Sequence, residues 1–73
     1  MSIRESMIKA LRKKYEADVE EAKATAEIYL ERPVGIGEHP QFIEELDKLI
    51  NIIAEAEDKL TVINNRFDND IPF

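Results

Sequence analysis

The feature that most constrains this chain is one short interruption in a sequence that otherwise favours helix throughout. Residues 32–40, Arg-Pro-Val-Gly-Ile-Gly-Glu-His-Pro, contain both glycines and two of the three prolines. Pro33 removes a backbone donor and disfavours a helical conformation at the preceding residue, and the glycines allow a change of direction. Pro40 suits the first turn of a new helix, with His39 as its capping residue. We therefore predict a reversing loop at residues 32–39.

The first half of the chain has the pattern of one long helix. Ser2 and Glu5 form the S-x-x-E pattern of a capping box, and neither glycine nor proline follows before residue 32. Apolar or small residues recur every three or four positions, as on one face of a helix. We predict a helix over residues 2–31 with the face Ile8, Leu11, Tyr15, Val19, Ala22, Ala26 and Tyr29. A neighbouring stripe widens this face: Met7, Ala10, Ala17 and Ala24.

The second half has a stricter repeat. Its apolar residues alternate by four and three positions, the heptad spacing of coiled-coil-like packing. Ile43, Ile50 and Ala54 widen the resulting stripe. We predict a helix over residues 40–67 and a C-terminal tail over residues 68–73, in which the acidic turn Asp-Asn-Asp precedes Ile-Pro-Phe. The heptad residues are Phe42, Leu46, Leu49, Ile53, Ala56, Leu60, Ile63 and Phe67.

Two helices of similar length joined by a short loop predict an all-α fold, an antiparallel helical hairpin over residues 1–67. A chain of 73 residues is short for a self-sufficient core, and its apolar faces are too broad for one partner helix. The absence of cysteine excludes disulfides, and a single histidine leaves no ordinary structural zinc site. We expect a homodimer or higher oligomer of four-helix-bundle type, in which the alanine stripe, Ile43 and Ile50 contact another copy.

Composition disfavours several classes of function. The net charge of −6 opposes generic nucleic-acid binding, which depends on neutralising phosphates. No apolar run is long enough to cross a bilayer, and no secretory apolar segment begins the chain. No nucleophile stands in a recognisable setting, and no inward Glu-x-x-His pair is available for a metal. We therefore expect no membrane partner, no cofactor, no metal site and no enzymatic activity.

Folding the chain back gathers basic residues at the end of the hairpin opposite the loop, which we call the open end. Their local positive potential suits a compact anion, and Tyr15, Phe67 and Phe73 would supply stacking surfaces. The alternative is that these charges only form i,i+4 pairs and maintain solubility. Seven of the ten basic residues belong to this end: Arg4, Lys9, Arg12, Lys13, Lys14, Lys59 and Arg66.

The loop is the second candidate site. Glycine-rich backbone before a helix N-terminus presents N–H groups that can hold a phosphate. Arg32, His39 and Gln41 would assist, whereas the neighbouring glutamate opposes an anion. The alternative is that Gly35 and Gly37 only form the turn and that His39 only caps the second helix.

The apolar tail, Ile71-Pro72-Phe73, also has two interpretations. It folds back onto the open end of its own bundle, or it docks in a partner protein or a neighbouring subunit as a short linear motif. Of the two, we favour folding back onto the bundle end.

Three segments resemble short helical proteins of T-even-like tailed phages, many of them marine. They are Arg-Pro-Val-Gly-Ile-Gly-Glu-His-Pro-Gln at 32–41, Ile-Glu-Glu-Leu-Asp-Lys at 43–48 and Ala-Glu-Ala-Glu-Asp-Lys-Leu at 54–60. The resemblance spans most of the chain and is clearest at residues 34–40. It implies a protein of the host cytoplasm during infection and brings no settled activity. Small oligomeric phage proteins include sponges that sequester nucleotide signals of host immunity.

We therefore expect a non-enzymatic, homo-oligomeric binding protein. Its specific form would sequester a small anionic ligand, such as a cyclic nucleotide immune signal, at subunit interfaces. The alternative is a protein–protein interaction adaptor or inhibitor that engages a host or phage protein through its acidic flank or Phe73. A structural assembly component is the third possibility. The choice among them depends on class analogy and not on a motif.

Overall fold

The computed structural model describes residues 2–31 and 42–67. Helix α1 spans Ile3–Glu31, helix α2 spans Phe42–Val62, and a π-helical turn continues directly over Ile63–Phe67. These two ranges are helical and contain no strand, so the all-α prediction is confirmed for them. The predicted loop at 32–39, the start of the predicted second helix and the tail at 68–73 lie outside the described residues.

A capping box explains where α1 begins. The backbone N–H of Ser2 donates to Glu5 Oε1 at 2.9 Å, and the backbone N–H of Glu5 donates to Ser2 Oγ at 3.1 Å. The carbonyl of Ser2 already accepts a bond from the N–H of Ser6 at 3.0 Å. Two N–H groups that a helix start leaves unpaired are thereby satisfied, as S-x-x-E predicts. Hydrogen bonds from the backbone N–H and the side chain of Ser2 lower the pKa of the Glu5 carboxyl, the backbone N–H contributing most.

The two helices run side by side in opposite directions. Near the start of α1, Arg4 Nη2 donates to the carbonyl of Phe67 at 2.8 Å. Two turns later, Arg12 Nη2 lies 3.4 Å from Asn64 Oδ1. Early residues of α1 therefore meet late residues of the second segment, which confirms the hairpin-like pairing. The molecule measures 55 × 18 × 15 Å, so its cross-section holds about two helices of 10–12 Å diameter.

The core is small and consists mainly of alanine. Among the described residues, the buried apolar side chains are Ala22, Ala26, Ala56 and Ile63. Alanine lets two helix backbones approach closely and has the best helix propensity, so this pairing is compact in its middle. Large apolar side chains remain exposed on both helices: Ile3, Met7, Leu11, Ile28, Leu30, Ile43, Ile50, Ile52, Val62 and Phe67. A single pair of helices leaves these positions facing solvent.

The second helical segment changes its type near its end. The chain stays helical to Phe67, but α2 ends at Val62 and the last five residues form a wider π-helical turn. Two consecutive asparagines, Asn64 and Asn65, lie in this turn, and asparagine has low helix propensity because its side chain competes for backbone partners. The wider turn has a consequence for contacts: Arg12 meets the side chain of Asn64, and Arg4 meets the carbonyl of Phe67.

Candidate binding site at the open end

A cavity of about 310 Å³ lies between α1 and the end of the second helical segment. We call it the open-end groove. Its wall is apolar or aromatic except for one lysine, because residues of the two apolar stripes face each other there without a third helix to cover them. The lining residues are Ile8, Leu11, Tyr15, Lys59, Val62, Ile63 and Phe67.

Tyr15 supplies the aromatic ring in the groove that lies next to two lysine ammonium groups. The Nζ atom of Lys59 lies 5.4 Å from the centroid of its ring, and that of Lys14 lies 5.9 Å away. Both distances fall within the range of a cation–π interaction, which is attractive because the ring face is electron-rich. Lys14 also forms an ion pair with Asp18 at 3.2 Å. The groove thus combines an aromatic ring with ammonium groups, one of them on its wall.

Two arginines connect the helices at the same end. Arg4 bonds to the carbonyl of Phe67, and Arg12 bonds to Asn64. Both bonds join α1 to the π-helical turn, so these arginines hold the end of the hairpin together while adding positive potential beside the groove. The structure therefore brings together four of the residues that the sequence nominates for an anion site: Arg4, Arg12, Tyr15 and Phe67.

Other nominated residues of the described ranges do not line the groove. Lys9 and Lys13 are exposed, and Lys13 lies 3.9 Å from Glu16 in an i,i+3 ion pair. Because successive residues turn by about 100° around a helix, Lys13 lies on the opposite side of α1 from Leu11 and Tyr15. The fold therefore does not gather all the basic residues of this end around the groove. Arg66 is exposed in the π-helical turn.

The loop candidate and the end of the tail are not described by the structure. The predicted phosphate-binding loop and the predicted stacking by Phe73 therefore stay predictions from the sequence. The nominated residues that lie outside the described ranges are Arg32, Gly35, Gly37, His39, Gln41 and Phe73.

The opposite flank of the hairpin has a different chemistry. A second groove, of about 370 Å³, is lined by Glu16, Val19, Glu20, Glu57 and Leu60. Its three carboxylates repel anions, so of these two grooves the open-end groove is the one that suits a negatively charged ligand. In residues 2–31 and 42–67, no three acidic or histidine side chains are grouped closely enough to hold a metal ion.

Sequence reasoning nominates only two of the seven groove residues as ligand-binding, Tyr15 and Phe67. It places Ile8, Leu11 and Ile63 in the apolar stripes and Lys59 among the basic residues of the open end, and it assigns no role to Val62. The signal that finds Lys59 is its register: in a hairpin closed near residue 36, Tyr15 and Lys59 lie at nearly the same level. For the ranges that the structure covers, no helix has both the length and the apolar character that a membrane crossing requires.

Comparison with known proteins identifies no relative from which a function could be inferred. No protein-family model matches the chain, and neither a curated protein nor a solved structure matches it. The resemblance to short phage proteins therefore stays a prediction. The exposed apolar side chains and the open-end groove are the observations from which a function can be inferred.

Proposed function

We propose that this chain is a homo-oligomeric binding protein whose hairpins associate through one flank of α2. The supporting observation is the exposure of Ile43 and Ile50, which are 66% and 57% exposed. They lie seven residues apart and therefore share a face, which the exposed Ala54 extends. Burying a large aliphatic side chain contributes about 1.5–3 kcal/mol, so covering this flank in two copies at once favours association.

The spacing along α2 shows which flank this is. Ile50, Ala54 and Glu57 follow one another by four and three positions, so the apolar flank continues on the side of Glu57 and the acidic groove. The open-end groove lies on the other side, where Val62 and Lys59 line it. Met7 precedes the groove residue Leu11 by four positions and belongs to that other side. Met7, which begins the alanine stripe, and the pair Ile43 and Ile50 therefore lie on different sides of the hairpin, and one contact face does not cover both. We assign the contact between copies to Ile43 and Ile50.

The test is a double substitution, Ile43→Glu with Ile50→Glu, measured by sedimentation velocity and far-UV circular dichroism. We expect the wild type to sediment with the mass of at least two chains and the variant with the mass of one, both remaining helical. The matched control, Ile28→Glu with Ile52→Glu, adds the same charge at exposed isoleucines outside the proposed face and should stay associated. A single-chain mass for the wild type, or dissociation of the control alone, would refute the proposal.

A second candidate function is sequestration of a small anionic ligand such as a cyclic nucleotide. The observation that favours it is the Tyr15 ring, with the ammonium groups of Lys14 and Lys59 within 6 Å of its centroid. An aromatic face beside cations recognises a base and a phosphate together. The groove volume, about 310 Å³, is at the lower end of the roughly 300–1,000 Å³ of small-molecule sites. The phage context implied by the resemblance supplies nucleotide immune signals as targets.

Thermal unfolding in the presence of cyclic mononucleotides and dinucleotides tests this function. A ligand at a hundredfold excess over its Kd stabilises the folded state by about 2.7 kcal/mol, which is a shift of several degrees in a small domain. Lys59→Gln should abolish the shift because it removes the cation from the groove wall. Lys9→Gln removes the same charge from an exposed position and should retain it. If no nucleotide raises the melting temperature, this function is wrong.

A further inference from the structure

We propose that the open-end groove is the docking site of the chain's own residues 71–73, with the side chains of Ile71 and Phe73 entering the groove of the same molecule. The described structure ends at Phe67, and Phe67 itself lines the groove. The segment after it, Asp-Asn-Asp-Ile-Pro-Phe, therefore starts at the mouth of an uncovered apolar cavity.

The length of the segment fits this path. The groove extends along α1 from Ile8 to Tyr15, about 10 Å at 1.5 Å per residue. After a reversal over residues 68–70, the three residues 71–73 span about 10 Å when extended, so they reach Ile8 and Leu11 in the near part of the groove. Asp68, Asn69 and Asp70 are residues that favour such a turn. Half of the segment is then sufficient for the reversal, and the other half is sufficient to run back along the groove.

The sequence of the segment fits the shape of the groove. Pro72 restricts its own φ and favours an extended conformation at the preceding residue. In extended backbone, alternate side chains point to the same side, so Ile71 and Phe73 both face one surface. The lining offers Ile8, Leu11, Val62 and Ile63 to them. A cavity of about 310 Å³ accommodates one or two such side chains and is too small for a folded partner.

Charge also favours this occupant. Asp68 and Asp70 carry negative charge at the start of the segment. The positive groups of this end are Lys59 on the groove wall and the arginines that join α1 to the π-helical turn. An apolar segment preceded by two carboxylates is complementary to an apolar groove with a basic margin. The acidic groove on the other flank would repel the same segment.

Docking of the tail has a consequence for binding. The tail and a small anionic ligand would occupy the same cavity, so each would weaken the binding of the other. The inference does not require self-association, because the proposed contact face of Ile43 and Ile50 lies on the opposite flank.

The experiment is methyl NMR spectroscopy of the full chain, comparing the wild type with Phe73→Ala and with the control Ile28→Ala, which shortens an exposed apolar side chain away from the groove. We expect NOEs between the Phe73 ring and the methyl groups of Ile8, Leu11 and Val62. Phe73→Ala should shift those methyl resonances through loss of the ring current and should lower the melting temperature by about 5 °C. Ile28→Ala should leave the groove methyl resonances unchanged and should lower the melting temperature much less, because Ile28 is exposed.

Two results would overturn the inference. One is the absence of these NOEs together with unchanged groove methyl shifts in Phe73→Ala. The other is an NOE pattern that, in a mixture of differently labelled chains, arises only between molecules, since the tail would then occupy a neighbour's groove. Repeating the measurement on Ile43→Glu with Ile50→Glu separates the inference from the proposed function. The intramolecular NOEs should persist there whether or not that variant dissociates.

Discussion

The middle of the hairpin and its open end are both formed by the apolar stripes of α1 and α2, but they differ in how completely these side chains are buried. In the middle, Ala22 and Ala56 are each 3% exposed and Ala26 is 6% exposed. At the open end the same stripes carry larger residues, and a groove remains with Leu11 40% exposed on its wall. Both regions are apolar, so polarity does not explain the difference. Side-chain size does, because small residues let two backbones close on each other while large ones extend past the edge of a two-helix layer.

This difference separates stability from binding. Closely packed alanines align the helices, and the groove beside them is lined by Glu16, Glu20 and Glu57, whose carboxylates repel an anion. The open end leaves apolar surface uncovered and places Lys59 and Tyr15 beside it. A two-helix protein of this size cannot bury all of its large side chains, so the region that stays open is the region available for a ligand, a tail or another copy.

The largest expected effect comes from enlarging a residue in the middle. Ala22→Leu keeps the residue apolar and helix-favouring but adds volume at a position that is only 3% exposed. Overpacking of this kind costs up to about 3 kcal/mol, and the upper end is expected because Ala22 is almost completely covered by its neighbours. Urea unfolding followed by circular dichroism would measure the loss in the free energy of unfolding.

The control for this substitution is Ala24→Leu, two positions along the same helix. Ala24 is exposed, so the added side chain points to solvent and should change stability by no more than about 0.5 kcal/mol. Equal losses in the two variants would mean that the middle is not closely packed and would remove the basis of the comparison.

A smaller effect is expected from shortening the one large side chain that the open end buries among the described residues. Ile63 is 5% exposed and borders the groove. Ile63→Ala should lower the free energy of unfolding by about 2 kcal/mol, at the low end for buried isoleucine, because the space it vacates joins a cavity already open to solvent. The same measurement on Ile28→Ala, at an exposed position of α1, should show a much smaller loss. A loss as large as about 4–5 kcal/mol for Ile63→Ala would mean that the open end is as tightly closed as the middle.

The helices follow from local chemistry that the sequence displays. Ser2 and Glu5 carry the capping pattern, and their two bonds are present. The groove could not be predicted in the same way. The spacing of Ile8 and Ile63 shows that they face each other, but whether the space between them is filled depends on how many helices surround it. The π-helical turn is equally non-local, since its contacts with Arg4 and Arg12 depend on the register of the hairpin.

The smallest expected effect concerns the capping box at the open end, where packing is weakest. Bonds from Ser2 hold the pKa of Glu5 below its ordinary value of 4.5, so the folded state binds this proton less readily than the unfolded state. The stabilisation by Glu5 is therefore complete above that ordinary value and is lost as the pH falls through it toward the lowered pKa. Glu5→Gln keeps a side-chain oxygen for the Ser2 N–H but cannot titrate, so its urea midpoint should fall less than that of the wild type between about pH 6 and about pH 3. Identical acid dependence in the two proteins would show that the cap adds nothing at this end, and the open end would then depend on its groove residues alone.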